Sequence, residues 1–313
     1  MSTGKPNLEV FAETLLEAAR LDADILVVTS DSRGSARLTN FCNTVPQQWV
    51  ELGIAEQNLV GTGAGLASAG KKVFVVSPAC FLTARSLEQI KNDVAYSDFP
   101  VKLIGISAGV SYGSLGSTHH SLHDLAVLQA IHNLDIVVPA DNFETREAIL
   151  AAINYPRPIY IRFGKKPMPD LHAPGTRFEI GKAIIIRQGS DINFIASGET
   201  VSVAVQASQR LESEGISSGV ISMHSLRPFD QQAVLEISKH SKAVITVEEH
   251  RIYGGLGSRC AQLLMEAGVH PAFRVVGIPD DHTVTGSQEE VFSHYGITAD
   301  GLACLARQLL SGE

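Results

Sequence analysis

The sequence predicts an α/β protein made of two doubly wound domains, on three observations. Apolar runs rich in Val and Ile recur along the chain, separated by stretches of helical periodicity. Alternation of that kind builds parallel sheets with helices on both faces. A Pro- and Gly-rich stretch at residues 164–175 interrupts the pattern once. The length, 313 residues, is enough for two cores. The expected units are residues 1–166, a linker at 167–178, and residues 179–313.

Within the first unit, Leu8, Phe11, Leu15 and Leu16 share one helical face. Ile25 to Val28 is a buried strand. A small-residue helix over 56–69 stops at Gly70 and gives way to a strand over 73–76. A helix at 85–96 and strands at 102–106 and 136–138 follow, then a helix at 143–153 and a strand at 159–161. In the second unit, strands are expected at 183–186, 192–196, 219–221, 243–247 and 273–276. Helices at 201–214, 231–238, 258–267 and 300–310 alternate with them.

Composition narrows the function classes. Hydrophobic residues make up 44% and charged residues 19%, ordinary values for a globular chain. A net charge of −8 argues against nucleic-acid binding, which needs basic patches to meet phosphate. No apolar stretch is long enough to cross a bilayer, and the first residues lack the apolar core of a signal peptide. Cys42, Cys80, Cys260 and Cys304 are scattered and read as reduced thiols. A cytoplasmic location is therefore expected. Cys80 alone lies near the candidate chemistry.

The most informative residues are Gly53-Ile54-Ala55-Glu56-Gln57-Asn58-Leu59. They place Glu56 at the mouth of a small apolar helix, where an isolated carboxylate is costly. Desolvation favours the protonated form, which can donate a hydrogen bond and relay a proton to a heterocycle. The competing reading is a first-turn glutamate that interacts with the helix dipole. His119, His120 and His123 invite a metal reading, since 119 and 123 could share a helix face. Gly254-Gly255-Leu256-Gly257-Ser258 is only a weak match to a dinucleotide motif.

The Gly-Ile-Ala-Glu-Gln-Asn run resembles the cofactor-glutamate motif of transketolases and 1-deoxyxylulose-5-phosphate synthases. Further similarities follow in order: Phe81, Ser86 to Asn92, Gly116-Ser117-Thr118-His119-His120, Val138-Pro139-Ala140-Asp141, and Val247 to Ser258. They cover the chain from about residue 8 onward. The whole is similar to the C-terminal half of a transketolase encoded as a separate polypeptide.

This resemblance implies a pyrimidine-binding thiamine diphosphate domain followed by a transketolase C-terminal domain. The implied activity is transfer of a two-carbon ketol (glycolaldehyde) unit from a ketose to an aldose. Glu56 would hold a ring nitrogen of the cofactor's aminopyrimidine, and Phe81 would stack on that ring, unless it is an ordinary core phenylalanine. His119 would face the reacting end of the sugar and shuttle protons. Arg162, at a strand's carboxyl end, would grip the terminal phosphate, with an ion pair as its alternative. Ser35 corresponds to a phosphate-contacting serine.

The chain departs from the family at several positions. Leu115 replaces an aspartate that reads donor hydroxyls, and Leu8 replaces an arginine. Ser107, counted among the substrate-binding positions, stands where a histidine is usual. Pro78 and Ala84 replace aromatics around Phe81. The donor could then carry another anion, such as a sulfonate, or Arg33 could compensate. No Gly-Asp-Gly diphosphate motif occurs in the chain. The resemblance therefore implies an N-terminal partner subunit that holds the diphosphate and Mg²⁺, in an α2β2 assembly, with no metal ligands in this chain. Two rivals stand beside this reading: the β subunit of a 2-oxo acid dehydrogenase E1 component, and a non-catalytic paralogue. The Ala-Glu-Gln-Asn and Gly-x-Thr-His forms favour transketolase over the first. Retention of Glu56, Phe81 and His119 argues against the second.

Overall fold

The structure, a computed structural model, describes residues 3–312. Met1, Ser2 and Glu313, at the outer ends of the expected units, lie outside the described residues. The first half runs β1 (Thr3–Pro6), α1 (Asn7–Ala19), β2 (Ile25–Thr29), α2 (Thr39–Thr44), β3 (Trp49–Glu51), α3 (Glu56–Ser68) and β4 (Lys72–Pro78). It continues with α4 (Ala79–Arg85), the single turn α5 (Leu87–Gln89), β5 (Lys102–Ile106), α6 (Asp124–Gln129), β6 (Asp135–Val137), α7 (Asn142–Ile153), β7 (Ile159–Arg162) and β8 (Pro167–Pro169). The second half begins with β9 (Ile184–Arg187), β10 (Ile192–Ala196), α8 (Thr200–Ser213), β11 (Ser218–Ser222), β12 (Ser225–Arg227) and α9 (Gln231–Lys239). It closes with β13 (Ala243–Arg251), α10 (Leu256–Glu266), β14 (Ala272–Ile278), α11 (Gln288–His294) and α12 (Ala299–Ser311).

Two sheets organise these elements. The first has seven strands in the order β12-β6-β7-β5-β4-β2-β3, and only β12 runs antiparallel to its neighbour. The second has five, β14-β13-β10-β11-β9, with β9 antiparallel at the edge. Central strands are buried on both faces, which is why they are near-continuous apolar runs. Alternate residues feed different cores. Val27, Phe74, Val76, Ile104 and Ile161 pack under α1 and α7, while Val28, Val75, Leu103 and Tyr160 pack under α3. The helix α3 lies so close to β4 that a Cβ on Gly63 would meet Val75 Cγ2 at 2.3 Å. Glycine there permits the packing.

The structure also differs from the expected elements. The helix expected at 85–96 is instead α4, then α5, then a π-helix at Ile90–Tyr96, broken at Ser86 with φ −114°. Seven-residue α4 carries little polar face, so no periodicity marks it. The stretch expected as a linker begins as β8, which pairs antiparallel with β1. Strand β12 leaves the second half to extend the first sheet beside β6. Three residues that pair across the chain leave no local signal.

Candidate active site

The parallel strands β2, β3, β4, β5 and β7 of the first sheet all end on one edge, where open α/β sheets place ligands. The loops and helix starts that leave this edge carry Ser35, Glu56, Phe81, His119 and Lys165. After β3 the chain turns sharply at Gly53, whose φ of +70° suits glycine. Glu51 fixes this turn. Its Oε1 accepts from the amides of Asp31 and Gly53 at 2.7 and 2.8 Å, and its Oε2 accepts from Thr29 Oγ1 at 2.8 Å. Glu56 then opens α3 with 4% of its surface exposed.

Arg85 Nη1 donates to both Glu56 oxygens, at 2.9 and 3.0 Å. The expectation of an isolated carboxyl is corrected here: within this chain it has a cationic partner. The same guanidinium lies 4.2 Å from the Phe81 ring centroid. Phe81 meets the His119 ring edge-on at 5.2 Å, and His119 meets Tyr112 at 5.3 Å. Lys165 Nζ sits 3.9 Å over the Tyr112 ring. The result is a continuous row from a buried acid to a lysine. Thr118 Oγ1 engages His119 Nδ1 at 2.9 Å and so fixes which ring nitrogen, Nε2, lies away from Thr118.

Beyond Lys165 lies a cleft of about 410 Å³ lined by Pro6, Leu8, Gly34, Ser35, Arg37 and Lys165. Burial lowers the Lys165 ammonium from its ordinary range, and the charge of Arg37 lowers it further. Two cations that penalise each other are relieved by an anion. Leu8 does line this cleft, and the cations on it are Lys165 and Arg37, whose Nε lies 3.8 Å from Glu9 Oε1. Arg33, expected to help, is drawn over Trp49 at 5.3 Å. Sequence reasoning missed Arg85, Tyr112, Arg37 and Lys165. Only Arg85 offered a signal, being one helical turn from Phe81.

One expected substrate residue does not reach this row. Arg162 is 4% exposed and donates to Asp124 Oδ1 and the Glu249 carbonyl, both at 2.7 Å. Its fork is consumed in joining the two halves, so a phosphate-gripping role is withdrawn. Burial opposes charge on Asp124, but Arg162 and His250 outweigh it and hold the carboxyl below its usual range. Ser107 is fully buried with φ +54°, and its hydroxyl lies against the Tyr112 side chain of the row.

The remaining motifs resolve into structural roles. His119 and His123 share no helix: a 3₁₀ turn ends at Thr118, and α6 begins at Asp124. His120 Nε2 meets the Gly113 carbonyl, and His123 Nε2 lies by Thr83 Oγ1. Burial pushes the Cys80 thiol up to about 11, far from a reactive thiolate. Glu248 accepts from the amides of Leu256 and Gly257 at 2.8 Å each. Those amides open α10, so Glu248 already occupies the place at this helix start that a phosphate would take.

A buried carboxyl and a half-buried aromatic ring, both contacted by one exposed arginine, fit the aminopyrimidine half of thiamine diphosphate. No group of three or more His, Cys, Asp or Glu among the described residues is placed to hold a metal ion. None of the described helices is long and apolar enough to cross a membrane.

Residues 6–169 match the transketolase pyrimidine-binding domain family, and residues 181–302 match the transketolase C-terminal domain family. The chain is 46% identical over 301 residues to one of the subunits of an apulose-4-phosphate transketolase from Phocaeicola vulgatus, covering 96% of each. It is 31% identical to a 6-deoxy-6-sulfo-D-fructose transketolase subunit of Clostridium sp., covering 96% of this chain and 93% of that one. Among solved structures, a split-gene transketolase described as an inactive β4 tetramer superposes with TM-score 0.88. That match has 32% identity and covers 98% of this chain and 99% of that chain.

Proposed function

The chain belongs to the transketolase family, and from that premise we propose that it is the C-terminal subunit of a two-chain transketolase acting on an anionic ketose. A partner subunit supplies the diphosphate and Mg²⁺ site, in an α2β2 assembly. The observation that carries this reading is the row Glu56, Phe81, His119, Tyr112 and Lys165, which ends in the cationic cleft. The two relatives above are named for a sugar phosphate and a sulfo-sugar. A cleft with Arg37 and Lys165 suits either anion. A cytoplasmic location accords with four free cysteines.

Thiamine diphosphate, when bound, would supply the carbon nucleophile that carries the two-carbon unit. Every other task falls to side chains. Glu56 holds a proton at a pyrimidine ring nitrogen, from a side chain that is almost fully buried. Phe81 offers its face to the same ring. His119 Nε2 exchanges protons with the sugar oxygens, its Nδ1 anchored by Thr118. Ser35, Arg37 and Lys165 hold the far anion and set the sugar's reach toward His119.

The test combines the chain with its partner, thiamine diphosphate and Mg²⁺, and offers phosphorylated, sulfonated and neutral ketoses. Two-carbon transfer from an anionic ketose is expected, with poor use of the neutral one. Decarboxylation of a 2-oxo acid without ketose turnover would refute the assignment.

A further inference from the structure

Arg85 places one guanidinium on both groups that the heterocycle requires. Its Nη1 lies 2.9 and 3.0 Å from the Glu56 oxygens, and its Cζ lies 4.2 Å from the Phe81 centroid. Phe81 and Arg85 are four residues apart on α4, so one helical turn builds both contacts. A carboxyl with 4% exposure is costly without a partner, and Arg85 supplies one from the solvent side. The Arg85 side chain is itself 47% exposed, so rotation outward meets little packing. A guanidinium is flat, stacks on aromatic faces and donates in a planar fork. An aminopyrimidine edge presents the same chemistry to the same carboxyl and ring face. The two cannot occupy those contacts together.

We propose that Arg85 is a displaceable occupant of the heterocycle site, which pairs with Glu56 and covers Phe81 until the cofactor's pyrimidine replaces it. The proposal rests on the reading of Glu56 and Phe81 given above and deepens it. Displacement lowers apparent cofactor affinity by the fraction of molecules in which Arg85 has swung out. It also keeps the buried carboxyl partnered in the lone chain.

The test is isothermal titration of thiamine diphosphate, with Mg²⁺ present, into the assembled two-chain complex carrying wild-type, Arg85→Met or Arg85→Lys chain. Arg85→Met is expected to bind about 3- to 10-fold more tightly. Arg85→Lys keeps a cation but loses the flat face, and is expected to tighten binding by a smaller factor. The lone Arg85→Met chain is expected to melt at lower temperature, because Glu56 loses its partner. Unchanged or weaker binding in Arg85→Met overturns the proposal. If that variant does not fold, the same outcome in Arg85→Lys overturns it. A wild-type complex that binds no thiamine diphosphate defeats the underlying assignment as well. Normal wild-type binding without tightening defeats only the role of Arg85.

Discussion

Two polar regions of this molecule use the same residue types in opposite ways. Along the open sheet edge, Arg85, His119 and Lys165 lie at least partly exposed, and their ring contacts leave hydrogen-bonding capacity free. At the seam between the halves, Arg162, Asp124, Glu199, Glu249 and Gln288 are buried and bonded mostly to one another. Gln288 Nε2 bridges the carboxyls of Glu199 and Glu249, and Glu249 also accepts from the Val110 amide at 2.8 Å. Burial, then the charge of Glu199, pushes the Glu249 carboxyl up to about 8. What a motif arginine or glutamate does is thus decided by the partners its place in the fold gives it, since Glu56 and Arg162 are equally buried. The edge has donors and faces to offer a ligand; the seam has committed its own to holding two halves together.

The largest effect that separates the regions belongs to Glu56→Gln. It removes a positioned proton-transfer group, so turnover of the assembled enzyme is expected to fall by about 100- to 10,000-fold. The lone chain's fold should persist by circular dichroism. Near-normal turnover would take Glu56 out of the chemistry. Arg162→Met is expected to do the reverse. It leaves Asp124 buried without its counter-charge, which costs about 3–5 kcal/mol of stability in denaturant titration. Loss of phosphate affinity with unchanged stability would instead return Arg162 to the substrate.

Lys165→Met probes the outer limit of the edge region. It should raise KM for an anionic ketose by about 10- to 100-fold and leave kcat nearly unchanged, because a charge-assisted contact far from the reacting carbon is lost. An equal loss with a neutral ketose would contradict an anion role.

The smallest effect lies in the segment between the sheets. His172 Nδ1 lies 2.8 Å from Asp141, and its Nε2 lies 3.1 Å from Glu144. Burial alone would lower its pKa, but hydrogen bonds to Asp141 and Glu144 outweigh burial and raise it to about 9. The folded value exceeds the ordinary 6.5, so the imidazolium contributes fully below that pH and is lost as pH rises through about 9. Melting between pH 6 and 10 should show on the order of 2 kcal/mol of alkaline loss that His172→Gln abolishes.

Much of the scaffold was legible because parallel strands are apolar on both faces. Ile192–Ala196 falls where the pattern places it. Glu56, Phe81 and His119 were legible as a set through their motifs, and the fold brings them to one edge. Other features depend on contacts between distant residues. Nothing near Ser225–Arg227 foretells its pairing with β6, and nothing near Arg162 foretells Asp124. Lys165 is three residues past Arg162, yet only the fold shows that the strand end buries one cation and frees the other. Tyr112 and Arg37 carried no motif at all.

Everything said of the edge depends on this chain contributing the heterocycle half of a site completed by a second polypeptide. Thiamine diphosphate titrated with Mg²⁺ into the lone chain, and then into the chain with its partner, addresses that dependence directly. Weak binding alone and tight, metal-dependent binding in the complex are expected. Tight, Mg²⁺-dependent binding by the lone chain would contradict a divided site.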